Sequence, residues 1–294
     1  MSSHKESWNF EEGAEIVAGR RAIHLLGGGT RAEAWAAWDE RLHTVVVVKV
    51  LRPDHVENAA ALNGLAREAR VLDELHHPAI VRCFDAVLDG PRPHLVLESL
   101  DGPRVSTLLR RYGPLAPEQV VPLGLEICSA LAFMHNVGYL HLDIKPRNLI
   151  MGAAPRMIDL GIARRFDEMP QLHGPLGTDA YMAPEQCRVE TVRSAGPPAD
   201  VWGLGVTLYE AVAGRHPFKA TGRQRDGTDK HPQLTHSAPP LDKNVPSDIG
   251  ALILRCLERE PDARPTATQL WAELEPMLEH SRRSARRRLR ARAR

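Results

Sequence analysis

"HLDIKPRNLI", residues 141–150, sets Asp143, Lys145 and Asn148 among leucine and isoleucine neighbours. Charges are rarely held in so apolar a run unless they are paired or do chemistry there. The three side chains offer complementary chemistry: a carboxylate that can take a proton from a hydroxyl, an ammonium that can neutralise a phosphoryl oxygen, and an amide oxygen that can ligate a divalent cation. The residue before the aspartate, Leu142, has no hydrogen-bond donor on its side chain.

Charges of the same kind lie on either side. The chain has 32 arginines but only six lysines, and one of these, Lys49, stands inside the run "VVVVKVL" (45–51). That run reads as a strand covered on both faces, with Lys49 on the side of Val47 and Leu51. In "ENAAALNGLAREARVLDEL" (57–75) apolar residues recur at Leu62, Leu65, Ala69, Leu72 and Leu75, an amphipathic helix whose stripe Glu68 interrupts. Two inward-facing opposite charges are most economically explained by their meeting; these residues alone fit a structural ion pair as well as a catalytic one. "RMIDLGIA" (156–163) adds Asp159 after an apolar strand and before a glycine. "LGGGTRAEAW" (26–35) is a weak G-x-G-x-x-(G/A) pattern, Gly27, Gly29 and Ala32, between two strands, which argues for a hairpin whose bare backbone can approach phosphates. Base, charge clamp and metal-ligating oxygens together suit in-line phosphoryl transfer.

The rest of the chain fits around these motifs. "RAIHLLGGG", "AEAWAAWDE", "TVVVVKVL", "IVRCFDAVLD" and "PHLVLESL" read as strands, and "PEQVVPLGLEICSALAFMHNVG", "PADVWGLGVTLYEAVAG" and "SDIGALILRCLERE" as helices. A sheet-rich part therefore precedes a helical part, with a break near 98–104. Residues 219–244, polar and proline-containing, read as a surface loop. The overall formal charge of +1 hides eight arginines in "SRRSARRRLRARAR" (281–294), which leave the remainder at −7. Such a tail is ordinarily a solvated arm; loose attraction to anionic lipid, nucleic acid or acidic protein is its functional reading. Four separated cysteines without a CxxC pair suggest reduced packing residues. The start has no signal-peptide pattern and no run of about 18 apolar residues occurs, so the expected location is cytoplasmic, membrane-proximal if the tail meets lipid or precedes a span in a longer parent. His76, His77 and His141 lack a second ligand set and read as capping or packing residues rather than metal ligands.

The order of the glycine hairpin, Lys49, Glu68, "HLDIKPRN", "DLG", "GTDAYMAPE" (177–185) and "DVWGLG" (200–205) resembles the eukaryotic-like (Hanks-type) bacterial serine/threonine protein kinase family over roughly residues 18–278. The resemblance implies an α+β, two-lobed fold: an N-terminal extension (1–17), a small antiparallel-sheet N-lobe with one helix (18–97), a hinge (98–104), a larger mainly helical C-lobe (105–278) and an arginine-rich tail (279–294). It implies ATP and Mg2+ as cofactors, with Mn2+ as a substitute, and protein substrates; it leaves the oligomeric state open.

Residue by residue, the resemblance makes Lys49, paired with Glu68, the holder of the α- and β-phosphates. Asp143 becomes the catalytic base, Lys145 the partner of the γ-phosphate, and Thr178 the residue that orients both. Asn148 and Asp159 become the Mg2+ ligands. Leu26, Gly27, Gly28, Gly29, Ala34, Val47 and Ile150 would surround the nucleotide, Leu97 would be the gatekeeper, and Glu98, Ser99 and Leu100 would meet the adenine edge through their backbone. Glu185 would pair with Arg264, and Asp200 would support the segment around Asp143.

Three positions depart from the pattern: Ala32 for the last glycine, Leu160 for the phenylalanine of the metal motif, and Leu142 for the arginine many members carry. The last implies a kinase of the non-RD type, not controlled by activation-segment phosphorylation. The rival reading from another class is a pseudokinase scaffold, disfavoured because Lys49, Glu68, Asp143, Lys145, Asn148 and Asp159 are all present.

Overall fold

In the computed structural model the described residues are 6–172, 174–218 and 230–278, apart from the side chains of Val189 and Thr191. The chain divides into two compact units, one formed by residues up to His76 with Ile80–Leu100 and Asp159–Gly161, the other by His77–Ala79, Asp101–Ile158 and the residues from Ile162 onward.

The first unit is an antiparallel sheet and one helix. Its strands are β1 (Glu15–Val17), β2 (Arg20–Gly28), β3 (Ala32–Asp39), β4 (Thr44–Leu51), β5 (Cys83–Val87) and β6 (His94–Glu98), in the spatial order β1-β2-β3-β4-β6-β5. Helix α1 (Ala59–Glu74) starts at Asn58, whose side chain accepts the Ala61 N–H at 3.0 Å and so satisfies one of the unpaired amides of the first turn. Period-two alternation turns Val46, Val48 and Val50 into a fully buried row beside Ile16, Ala37 and Val96. The expectation that β4 is covered on both faces needs correction: Val45 is exposed and Val47 and Lys49 are half-buried. That second face carries an ion pair, so no continuous apolar layer seals it. Residues ahead of position 18 are part of the packing too, since β1 joins the sheet and Trp8 and Phe10 lie against its core.

The second unit holds α2 (Val105–Tyr112), α3 (Pro117–Asn136), the strand pair β7 (Tyr139–Leu140) and β10 (Arg164–Arg165), the pair β8 (Leu149–Met151) and β9 (Pro155–Met157), the single turn α4 (Val189–Val192), α5 (Pro197–Ala213) and α6 (Ser247–Cys256). A last helical run covers 267–278. Helix α5 is apolar nearly all round and buried nearly all round, as a central helix must be. Within "DVWGLG", Gly205 lets α6 approach: a Cβ there would lie 2.6 Å from the Cβ of Cys256. Cys83, Cys128, Cys187 and Cys256 are free thiols. The arginine tail lies outside the described residues, as do 219–229 of the expected surface loop. The described part of that loop is not wholly superficial: a 3-10 turn, Pro232–Leu234, buries Gln233.

Candidate active site

Within the first unit, β4 and α1 bring Lys49 and Glu68 together. The Lys49 ammonium donates to Glu68 Oε1 at 2.7 Å and Oε2 at 2.6 Å, and to Asp159 Oδ1 at 2.9 Å. Burial alone would lower the Lys49 pKa, but the two carboxylates outweigh it and hold the ammonium well above its ordinary value. Burial pushes the Glu68 carboxyl upward, against the pull of Lys49. Asp159 adopts a left-handed backbone conformation, φ +67°, rare for a residue with a Cβ, and its side chain is about half exposed. Gly161 completes the turn, where an added Cβ would stand 3.3 Å from Glu68 Oε2.

Strand register links the other candidates of this unit. Ala34 faces Gly27 on one side and Lys49 on the other, and Val47 faces Leu97. Leu26 is exposed before the turn, while Leu97 is buried at the end of β6. Gly27 has φ +140°, which requires glycine; Gly28 requires it for space, because a Cβ would lie 2.9 Å from both Ala32 O and Arg52 Nη2. Gly29 has neither constraint; its N–H donates to Ala32 O. Of the backbone donors expected to meet an adenine edge, the Glu98 N–H is already committed to Arg82 O at 2.9 Å, and Leu100 is half-buried.

Within the second unit, a loop and the 3-10 turn Pro146–Asn148 come after β7 and carry Asp143, Lys145 and Asn148. Asp143 is the hub. Thr178 Oγ1 donates to Asp143 Oδ1 at 2.7 Å, Lys145 Nζ donates to Asp143 Oδ2 and to Thr178 Oγ1 at 2.6 Å, and Asn148 Nδ2 donates to Asp143 Oδ2 at 3.1 Å. Because the Asn148 nitrogen is committed to Asp143, its carbonyl oxygen is the atom left for another ligand. Ile150, in β8, is buried opposite Arg156.

Buried groups fix this loop from below. Asp200, on the first turn of α5, accepts the His141 N–H at 2.9 Å, the Leu142 N–H at 2.7 Å and a hydrogen bond from His135 Nε2 at 3.0 Å. Burial would raise its pKa, yet these donors hold the carboxyl below its ordinary value. Leu142 itself is left-handed, φ +65°. Gln186 Nε2 donates to Leu142 O at 3.3 Å and Leu176 O at 3.0 Å, and Gln233 Nε2 donates to Asp179 O at 2.8 Å and Met182 O at 3.0 Å. Glu185 and Arg264 form a bidentate pair at 2.7 and 2.9 Å, with the guanidinium over the Trp202 ring. Gln186, Gln233, His135 and Arg52 are functional neighbours the sequence did not reveal; the adjacency of Gln186 to "MAPE" was the one signal available.

The model for the protein kinase domain matches residues 21–274. The chain belongs to the protein kinase family. Among its relatives, this kinase domain is 34% identical over 266 residues to the serine/threonine-protein kinase PknB of Mycolicibacterium smegmatis, covering 85% of this chain and 41% of that protein. It is 33% identical over 263 residues to PknB of Mycobacterium tuberculosis, with the same coverages of 85% and 41%. It is 36% identical over 241 residues to the serine/threonine-protein kinase PkaA of Streptomyces coelicolor, 80% of this chain and 43% of that protein. The kinase domain thus spans about two fifths of the length of the curated relatives it matches. Among its described residues, no helix is long and apolar enough to cross a membrane.

Proposed function

We propose that this kinase domain transfers the γ-phosphoryl group of ATP to serine and threonine hydroxyls of protein substrates. The observation that carries the reading is the hydrogen-bonded set Asp143, Lys145, Thr178 and Asn148. Asp143 takes the proton of the substrate hydroxyl as its oxygen bonds to the γ-phosphorus and the bond to the β-bridging oxygen breaks, releasing ADP. Lys145 offsets charge on the transferring group. Thr178 holds the carboxylate and the ammonium in one geometry, so neither must reorganise during the step. Lys49, kept charged by Glu68, anchors the α- and β-phosphates, and Gly27 and Gly28 leave backbone free of side chains where phosphates approach.

The donor chemistry fits Mg2+. Asp159 offers a half-exposed carboxylate and Asn148 an amide oxygen, both hard ligands, and Mg2+ is ordinarily held by one or two such groups together with substrate phosphates. When bound with the nucleotide, Mg2+ would neutralise charge on the phosphate oxygens. Mn2+ would satisfy the same oxygens.

The reading extends to regulation: this is a kinase of the non-RD type whose segment between Asp159 and Glu185 is held by packing or by a partner protein, without phosphorylation of that segment. The donor-free side chain of Leu142 and the buried amides of Gln186 and Gln233 support it. The four free thiols and the use of ATP support a cytoplasmic setting. Incubation of the purified protein with labelled ATP, Mg2+ and a generic basic protein, followed by mass-spectrometric mapping of phosphorylated sites, tests the activity. Phosphoserine and phosphothreonine are expected. Binding of nucleotide without any transfer would favour the scaffold alternative.

A further inference from the structure

The glycine turn between β2 and β3 is tied to the start of the chain through one buried arginine. Arg52 comes directly after β4, and its backbone N–H donates to Arg31 O at 2.9 Å, on the turn itself. Its guanidinium then reaches three acceptors: Nε donates to Gly29 O at 3.1 Å, and Nη1 donates to Glu33 Oε1 and to Glu6 O, both at 2.8 Å. Arg52 and Glu33 are 8% and 1% exposed, so the pair is sheltered from the water that weakens a surface ion pair. Glu33 also accepts the Trp35 indole N–H at 3.0 Å, which leaves both carboxylate oxygens engaged.

The Glu6 carbonyl is held in place by its neighbours Trp8 and Phe10. Trp8 Nε1 donates to Leu51 O at 2.7 Å, beside Arg52 in the chain. Trp8 stacks on Phe10 at 5.9 Å, Phe10 meets the edge of Trp35 at 5.3 Å, and the Arg92 guanidinium lies 5.0 Å from both the Trp8 and Phe10 rings while bonding Ile16 O at 2.7 Å. This strap, residues 6–10, precedes the residues 21–274 that match the kinase domain model.

We propose that Arg52 is a positioning residue for the phosphate-approaching turn, and that the strap of residues 6–10 completes its coordination, so that nucleotide affinity depends on a segment ahead of the kinase domain proper. The proposal rests on the kinase reading given above. The guanidinium is suited to the task because its donors diverge in a fixed plane toward three acceptors, whereas a lysine ammonium at that position is a compact charge on a flexible stem. Fixing a turn carbonyl before the ligand arrives removes ordering that binding would otherwise have to supply.

The test compares wild type with Trp8→Ala, Arg52→Lys, Arg52→Gln and, as a control, Arg21→Gln, which breaks an exposed pair with Glu40 and a long bond to Gly13 O at 3.5 Å but touches neither the turn nor the strap. Hydrogen exchange of the amides at 27–31 is read first, then ATP binding by calorimetry, then the KM for ATP against kcat. We expect exchange in the turn to rise by about tenfold and ATP affinity and KM to weaken by about fivefold in the Trp8 and Arg52 variants, with kcat at saturating ATP changing less than about twofold. The control should match wild type. Arg52→Lys should recover less than half of the loss caused by Arg52→Gln. Trp8→Ala keeps the test decisive where an Arg52 variant fails to fold. Unchanged turn exchange and unchanged ATP affinity in Trp8→Ala would overturn the proposal. A wild-type protein that binds ATP but transfers no phosphate would instead defeat the kinase reading, and the exchange and binding measurements would still decide the role of Arg52.

Discussion

The Asp200 carboxylate accepts the backbone N–H of Leu142 at 2.7 Å, and through that bond a buried helix residue holds the peptide next to Asp143 in a left-handed conformation. Leucine tolerates such a φ only when the surroundings over-determine it, at a cost of order 1–3 kcal/mol. Asp200 supplies much of that determination by satisfying two adjacent amides at once.

Asp200→Asn should therefore destabilise the second unit by about 2–4 kcal/mol at neutral pH, because the amide nitrogen of asparagine faces a donor and leaves a buried N–H unpaired. The difference from wild type should depend on pH in a defined direction. The Asp200 carboxyl lies below its ordinary value of 3.8 in the fold. Its contribution is then complete above that value and is lost as the pH falls through the lower folded value. Denaturant unfolding of both proteins should give a constant difference from pH 7 to 5 and a shrinking one below pH 4. A difference that grows on acidification would contradict the assignment.

Lys49→Met should remove activity and make stability fall more steeply as the pH rises. Glu68 is then a buried carboxylate facing Asp159 with no cation, a loss of about 3–5 kcal/mol. Burial raises the Glu68 carboxyl above its ordinary 4.5, and without Lys49 it rises further. The fold then holds that proton more tightly than the unfolded chain does, so stability falls as the pH rises through the window above 4.5. The variant should be more stable at pH 5 than at pH 8. Lys49→Met combined with Glu68→Gln should restore stability without restoring phosphoryl transfer, and equal stability of the single and double variants at pH 8 would argue against the coupling.

Asp143→Asn should abolish transfer, lowering kcat by at least about a hundredfold, while changing stability by only about 1 kcal/mol. The shape of the side chain is kept, and Thr178 can still donate to the remaining carbonyl oxygen. Wild-type turnover in this variant would remove Asp143 from the role of base. ATP binding measured alongside should stay within about threefold, since Lys49 and the glycine turn are untouched.

The legible part of this molecule was the part where a polar residue broke a periodic apolar pattern. Lys49 and Glu68 announced their pairing because each interrupts an apolar run of the sequence, and the long elements β2, β3, β4, α1, α3 and α5 were readable from their apolar patterns. The two- and three-residue strands β7 to β10 carry too few positions for any period, and α2 is eight residues with a polar face. Gln233 was hidden inside a stretch whose composition reads as solvated loop, and Arg52 looks like any of the other arginines. Their importance comes from which backbone carbonyls the chain brings to them, and those contacts are made 23 to 54 positions away in sequence.

The same tertiary contacts shape the last prediction, that full activity does not require phosphate on the segment between Asp159 and Glu185. That segment contains no serine, only Thr178 and Tyr181 as hydroxyl residues. Both are engaged: Thr178 donates to Asp143, and Tyr181 donates to Glu210 Oε2 at 2.6 Å, with burial and that carboxylate pushing the phenol pKa well up. A phosphate on Thr178 would place about two negative charges beside the Asp143 carboxylate and break the hydrogen bonds that align it. Leu142 provides no cation to receive such a phosphate, and the buried amides of Gln186 and Gln233 already hold the backbone at Leu176, Asp179 and Met182. Phosphatase treatment, checked by intact mass, should therefore leave the rate on a peptide substrate within about twofold of the untreated enzyme, and Gln233→Ala should lower it more than dephosphorylation does. The prediction fails if the dephosphorylated enzyme loses most of its activity and regains it when phosphate returns to Thr178.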